Sequence, residues 1–96
     1  MHVFDLLSIY LLSGRFIRRG NRCLRRRDFA GAAEAYEQAL TLRPNAHVVR
    51  FNLGIALYKA GRKREGREAW QAVLDALGDS KPYLAEQCRI MLRQFA

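Results

Sequence analysis

Between Arg15 and Arg27 the chain carries seven arginines and no acid. Six of them, Arg15, Arg18, Arg19, Arg22, Arg25 and Arg26, follow the i, i+3, i+4, i+7 rhythm of one helical face. Guanidinium groups at that density can hold carboxylates, phosphates or acidic lipid headgroups. Little else in the chain has chemistry of its own. His2 and His47 are isolated, no metal-ligand spacing occurs, and no glycine-rich phosphate loop follows a strand. Glu34 and Glu37, like Glu65 and Glu68, are helix neighbours at i, i+3 that sit among solvent-type residues and balance nearby arginines. Neither catalysis nor a cofactor is expected of such a set.

The chain has 17 Lys and Arg against 9 Asp and Glu, a net charge of +8. Outside the arginine segment, ten positives meet nine negatives, so the basicity is a local device and not a property of the whole surface. Its 96 residues, half of them apolar with only 2 prolines, fit one helical domain with a small core. Cys23 and Cys88 both fall in helical patterns and lack CxxC spacing, and no cleavable signal sequence is read, so reduced thiols in a cytoplasmic setting are expected.

The elements that must position the arginines are helices. Phe16, Ile17, Gly20, Cys23 and Leu24 fill the side of the first helix opposite the stripe, and Asp28 is placed to cap the next one. Apolar and small residues recur at helical spacing from Asp28 to about Thr41, until Pro44 and Asn45 stop the chain. A further pair is expected from about Ala46 to Ala60, ending at Gly61, and from about Arg62 to Leu77, closed by Gly78. Asp79 or Ser80 should cap a last amphipathic helix, with Pro82 in its first turn.

These helices repeat. An offset of thirty-four carries Gly20 onto Gly54, Ala32 onto Gly66, Glu34 onto Glu68, Ala35 onto Ala69, Tyr36 onto Trp70 and Leu40 onto Leu74, and Cys88 continues the Gly20, Gly54 series. A period of that length means helical hairpins that bury their apolar faces on one another. With Phe16, Gly20, Ala32, Tyr36, Ala39 and Pro44 in one unit and Leu53, Gly54, Leu57, Trp70 and Val73 in the next, the chain resembles the tetratricopeptide repeats. It departs from their pattern at Arg19, Arg50, Gly66 and Gly78, none of which breaks a helix outright. The expected fold is all-α, an α-solenoid of about two and a half repeats. Its parts are an apolar segment over 1–13, repeats over 14–46 and 47–80, and a capping helix over 81–96.

The resemblance implies a concave groove lined by the first helix of each hairpin. By that mapping Ile17, Asn21, Leu24 and Arg25, then Val48, Phe51, Asn52, Ile55, Tyr58 and Lys59, and finally Arg89 and Arg93, face a partner. An apolar floor with basic edges suits a protein segment carrying hydrophobic anchors and acidic residues. In the alternative, Phe51, Ile55 and Leu24 simply pack on the N-terminal segment. Some relatives clamp a partner's terminal carboxylate with two asparagines and several basic groups. Asn21 and Asn52 match the asparagine sites, but Ile17, Pro82 and Glu86 stand where the basic groups would be, so that mode is not expected.

The opening segment is apolar on nearly every side, through Val3, Phe4, Leu7 and Leu11 among others. It is too short to span a bilayer. It is suited to anchor the protein on a partner or an anionic membrane surface, or to complete the stack as an extra helix, and it leaves room for a homo-oligomer. For the arginine stripe a nucleic-acid footprint is the alternative to an acidic protein or membrane surface, but the cluster has only Phe16 for base stacking. The sequence thus points to a non-catalytic adaptor or assembly factor.

Overall fold

A computed structural model describes residues 5–96, which form five helices. They are α1 (Leu6–Arg25), α2 (Phe29–Leu42), α3 (His47–Lys59), α4 (Lys63–Leu77) and α5 (Pro82–Gln94). Each helix packs on the one before it and the one after it in the chain, and the shortest dimension, 18 Å, is that of two helix layers. The all-α repeat fold expected from the periodicity is therefore the fold observed.

The repeat is visible in how the helices touch. At Gly20 a Cβ would strike the ring of Tyr36, and at Gly54 it would strike the indole of Trp70. Both rings are fully buried, and both have their polar handle satisfied by the partner helix. The Tyr36 hydroxyl donates to Asn21 Oδ1 at 2.6 Å, and Trp70 Nε1 donates to the Phe51 carbonyl at 3.1 Å. A glycine facing an aromatic is thus the joint within each hairpin, used twice in register. Around these joints lie two apolar clusters. Ala32, Ala33, Tyr36, Ala39 and Leu40 of α2 share the first with Val49, Leu53, Ala56 and Leu57 of α3, while Trp70, Val73, Leu77 and Cys88 centre the second.

The turns repeat as well. Asp28 accepts from the Gly31 amide at 3.0 Å and so caps α2. The ends of α1 and α3 close in the same way, with Asp28 N to Cys23 O at 2.8 Å and Arg62 N to Leu57 O at 2.9 Å. The residue that makes each turn is left-handed, Arg27 at φ 62° and Gly61 at φ 96°.

α1 runs without a break from the apolar segment into the first repeat: it starts at Leu6, capped by Asp5, whose carboxylate accepts from the Ser8 amide at 2.8 Å. Its twenty residues cross the expected boundary at 13/14 because nothing there stops a helix; Ser13 is buried and its hydroxyl donates to the Tyr10 carbonyl. One expectation needs correcting: neither Asp79 nor Ser80 caps the last helix. Lys81 precedes Pro82 with no side-chain cap, since the Ser80 hydroxyl donates to Leu77 O at 2.7 Å and Pro82 has no amide to satisfy.

Candidate functional site

Arg15, Arg18, Arg19, Arg22, Arg25 and Arg26 are all exposed, as the wheel requires of them. Among the described residues none of the six is in an ion pair, whereas four arginines further along the chain are. Arg62 pairs with Glu65 and Glu37, Arg64 with Glu68, and Arg89 and Arg93 with Glu86. Arg15, Arg18, Arg19 and Arg22 instead border a surface depression of about 360 Å³ that Leu12 and Phe16 complete. Six unpaired arginines within twelve residues make α1 and its C-terminal turn densely positive.

The first turns of α1 are apolar and open to solvent. Leu7 is 63% exposed and Leu11 58%, with Leu6 and Tyr10 also exposed. At about 1.5 Å per residue, α1 is roughly 9 Å longer than α2, so its start has no helix of equal length beside it. Tyr10 is covered from one side by the Arg43 guanidinium, 4.7 Å from its ring centre. Val3 and Phe4, the other two anchor candidates, lie outside the described residues. No helix among the described residues is long and apolar enough to cross a membrane.

The groove candidates separate into groups. Ile17 and Leu24 are half-buried against the first cluster, and Asn21 is occupied as the acceptor for Tyr36. Phe51, Ile55 and Tyr58 are half-buried against the second cluster, on α4 and α5. Tyr58 stacks on Trp70 at 5.9 Å and meets the edge of Phe95 at 5.1 Å, so that Phe95 covers this end of the expected groove. Phe95 is held there by Arg67, whose guanidinium donates to the Leu92 carbonyl at 2.9 Å and to that of Phe95 itself. The part played by Phe95 was not legible in its helical spacing, which marked it only as one apolar residue of the last helix.

The open residues are Val48, 60% exposed, the half-exposed Asn52, and a basic edge of Arg25, Lys59, Arg89 and Arg93. Arg25, Lys59 and Arg93 succeed one another at the repeat spacing, which sets one cation at the same place on each first helix. Lys59 Nζ also lies 5.8 Å from the centre of the Phe29 ring.

Groups that could support other chemistry are scattered. No cluster of three His, Cys, Asp or Glu residues able to hold a metal occurs among the described residues. Both cysteines are free thiols, and burial pushes the Cys88 thiol up to about 11. That makes it a packing residue and a poor nucleophile.

No curated protein and no solved structure matches the chain. The family model described as tetratricopeptide repeat matches residues 24–86, about two thirds of the length. That span begins at the end of α1 and takes in both left-handed turns, Tyr36 of the first joint, the whole Gly54–Trp70 joint and the start of α5. With joints and turns that recur in register along the helices, and a family model that covers most of them, this chain belongs to the tetratricopeptide repeat family.

Proposed function

We propose that this chain is a non-catalytic adaptor or assembly factor that holds a segment of a partner protein, one with apolar anchors and acidic side chains, along the open side of α1, α3 and α5. Repeats of this family generally mediate protein–protein interaction. The observation that carries the finer reading is the basic edge Arg25, Lys59, Arg93, one cation per first helix, beside the half-buried apolar residues Ile17, Phe51 and Ile55. An extended or helical segment running across α1 and α3 meets the same pair of features on each, a hydrophobic surface for burial and a cation for charge pairing, while Arg93 on α5 is shared with Glu86. Phe95 limits that surface at the Tyr58 end, so the first two helices of the row supply most of it.

The exposed apolar start of α1, with Leu7 and Leu11, suits a second contact with the same partner or with an anionic membrane surface. The test is co-purification from the native source with wild-type chain and with an Arg25→Glu, Lys59→Glu double variant. A protein that travels with the wild type, is lost with the double variant and is retained at raised salt supports the groove. Retention of nucleic acid instead, falling steeply with salt, would replace this reading with the nucleic-acid one.

A further inference from the structure

The repeat register gives the arginine stripe a structural address. Moving back thirty-four residues from Val49, Leu53 and Ala56 leads to Arg15, Arg19 and Arg22. In α3 those three positions are buried in the cluster shared with α2, and they are the face on which the preceding helix lies. In α1 the same face is exposed, and nothing among the described residues lies on it. Leu12, equivalent to Ala46, continues it at its apolar end. The 360 Å³ depression runs along this face, where the neighbouring repeat seats a helix.

We infer that the arginine face of α1 docks an acidic amphipathic helix of a partner protein, seated on α1 as α2 is seated on α3. The fold already places a helix on this face one repeat later, where α2 lies on α3. The charge argument selects its chemistry. Arg15, Arg19 and Arg22 rise about one turn apart over roughly 10 Å, so they match carboxylates at i, i+4 and i+7 of a facing helix. An apolar residue beyond those carboxylates then meets Leu12 and Leu11. A second copy of this chain fits poorly, because Glu37, Glu65, Glu68 and Glu86 are already paired within the molecule and the net charge is +8. The inference rests on the chain being a protein-interaction module but does not use its groove.

The experiment uses the full chain, labelled for amide chemical-shift mapping, and a synthetic helical peptide with Glu at i, i+4 and i+7 followed by Leu. Its controls are the Gln counterpart, a scrambled peptide of equal charge, a short DNA duplex, and phosphatidylcholine–phosphatidylserine vesicles. The expected result is that the Glu peptide shifts the amides around Arg15, Arg19 and Arg22. Its affinity falls about tenfold with the Gln counterpart, with the scrambled peptide, or with Arg15→Gln, Arg19→Gln, Arg22→Gln together. It is unchanged in Arg25→Gln, Lys59→Gln.

Equal affinity for the scrambled peptide, or tighter binding of duplex or vesicles through the same three arginines, overturns the inference. Mapping of the peptide to Arg25 and Lys59 also overturns it while leaving the groove reading standing, so the two fail separately. Circular dichroism melts confirm that the glutamine variants remain folded, since all the substituted side chains are exposed.

Discussion

Glycine has opposite roles at two places on the same helix row. At Gly54 an added methyl would run into the fully buried Trp70 ring, whose Nε1 is fixed on the Phe51 carbonyl, so the ring cannot step aside without losing that bond. Gly54→Ala is expected to lower stability by about 1–3 kcal/mol, the usual cost of overpacking. At Gly14 the same methyl meets only the far end of the Arg18 side chain, at 3.3 Å. Gly14→Ala should raise stability by up to about 1 kcal/mol, through helix propensity alone. Urea melts of the two variants check the pair, and equal effects of the same sign would refute the joint. Cys88 supplies a pH test at the same scale. Burial raises its thiol from an ordinary 9.0 to about 11 and raises the Tyr36 hydroxyl in the same direction. Because the folded state favours the protonated forms, this stability is fully present below pH 9 and is lost as pH rises through 11. Thermal midpoints should therefore fall over that window, and less so in Cys88→Ala than in the wild type.

Among the elements, α1 separates what is packing from what is surface. Its last half carries Gly20, Cys23 and Leu24 against α2, whereas Leu7 and Leu11 in its first turns are open to solvent. Leu7→Asp with Leu11→Asp should leave the melting temperature within a degree or two, since surface changes away from packed features stay within about 0.5 kcal/mol. A loss of several degrees, followed by circular dichroism, would mean that this stretch belongs to the core. The sequence made the hairpins legible because their constraints are local and recur: a small residue facing an aromatic, Asp28 as a cap, Gly61 and Gly78 as stops. It concealed the start of α1, because a change of composition from leucines to arginines is not a stop signal, and only Asp5 marks the cap. The filling of the groove by Phe95 was concealed for a different reason. It depends on the angle at which α5 returns across α3, and on Arg67 reaching the end of α5, neither of which helical spacing encodes. Asn21 looked like a ligand for the same reason, since its partner Tyr36 is fifteen residues away and meets it only when the hairpin closes.

At the scale of the whole molecule, packing from one helix to the next in chain order makes stability a sum of neighbouring interfaces. The outermost layers should then open independently of the centre. Helix α5 rests on α4, and its last carbonyls are gathered by a single guanidinium, that of Arg67, which is itself half-buried between the two helices. Arg67→Gln removes the charged donor to the Leu92 and Phe95 carbonyls and loosens Phe95 from Tyr58. Charge-assisted bonds of this kind contribute about 1.5–3 kcal/mol when both groups are dry, and less here because the site is half open. Amide exchange should consequently speed up by about tenfold across the last turn of α5, near Met91 to Phe95, while α1 and α2 keep their protection. The contrast with Gly20→Ala is the sharper half of the test. That change strains the α1–α2 joint at the other end and should release α1 first, with α5 unaffected. If instead either substitution raised exchange equally in all five helices, the molecule would be one cooperative unit, and the proposed groove and arginine face could not be tuned separately. Under the layered description they can: loosening α5 uncovers Tyr58 and Ile55 and lengthens the proposed groove, without disturbing Arg15, Arg19 and Arg22 at the far end.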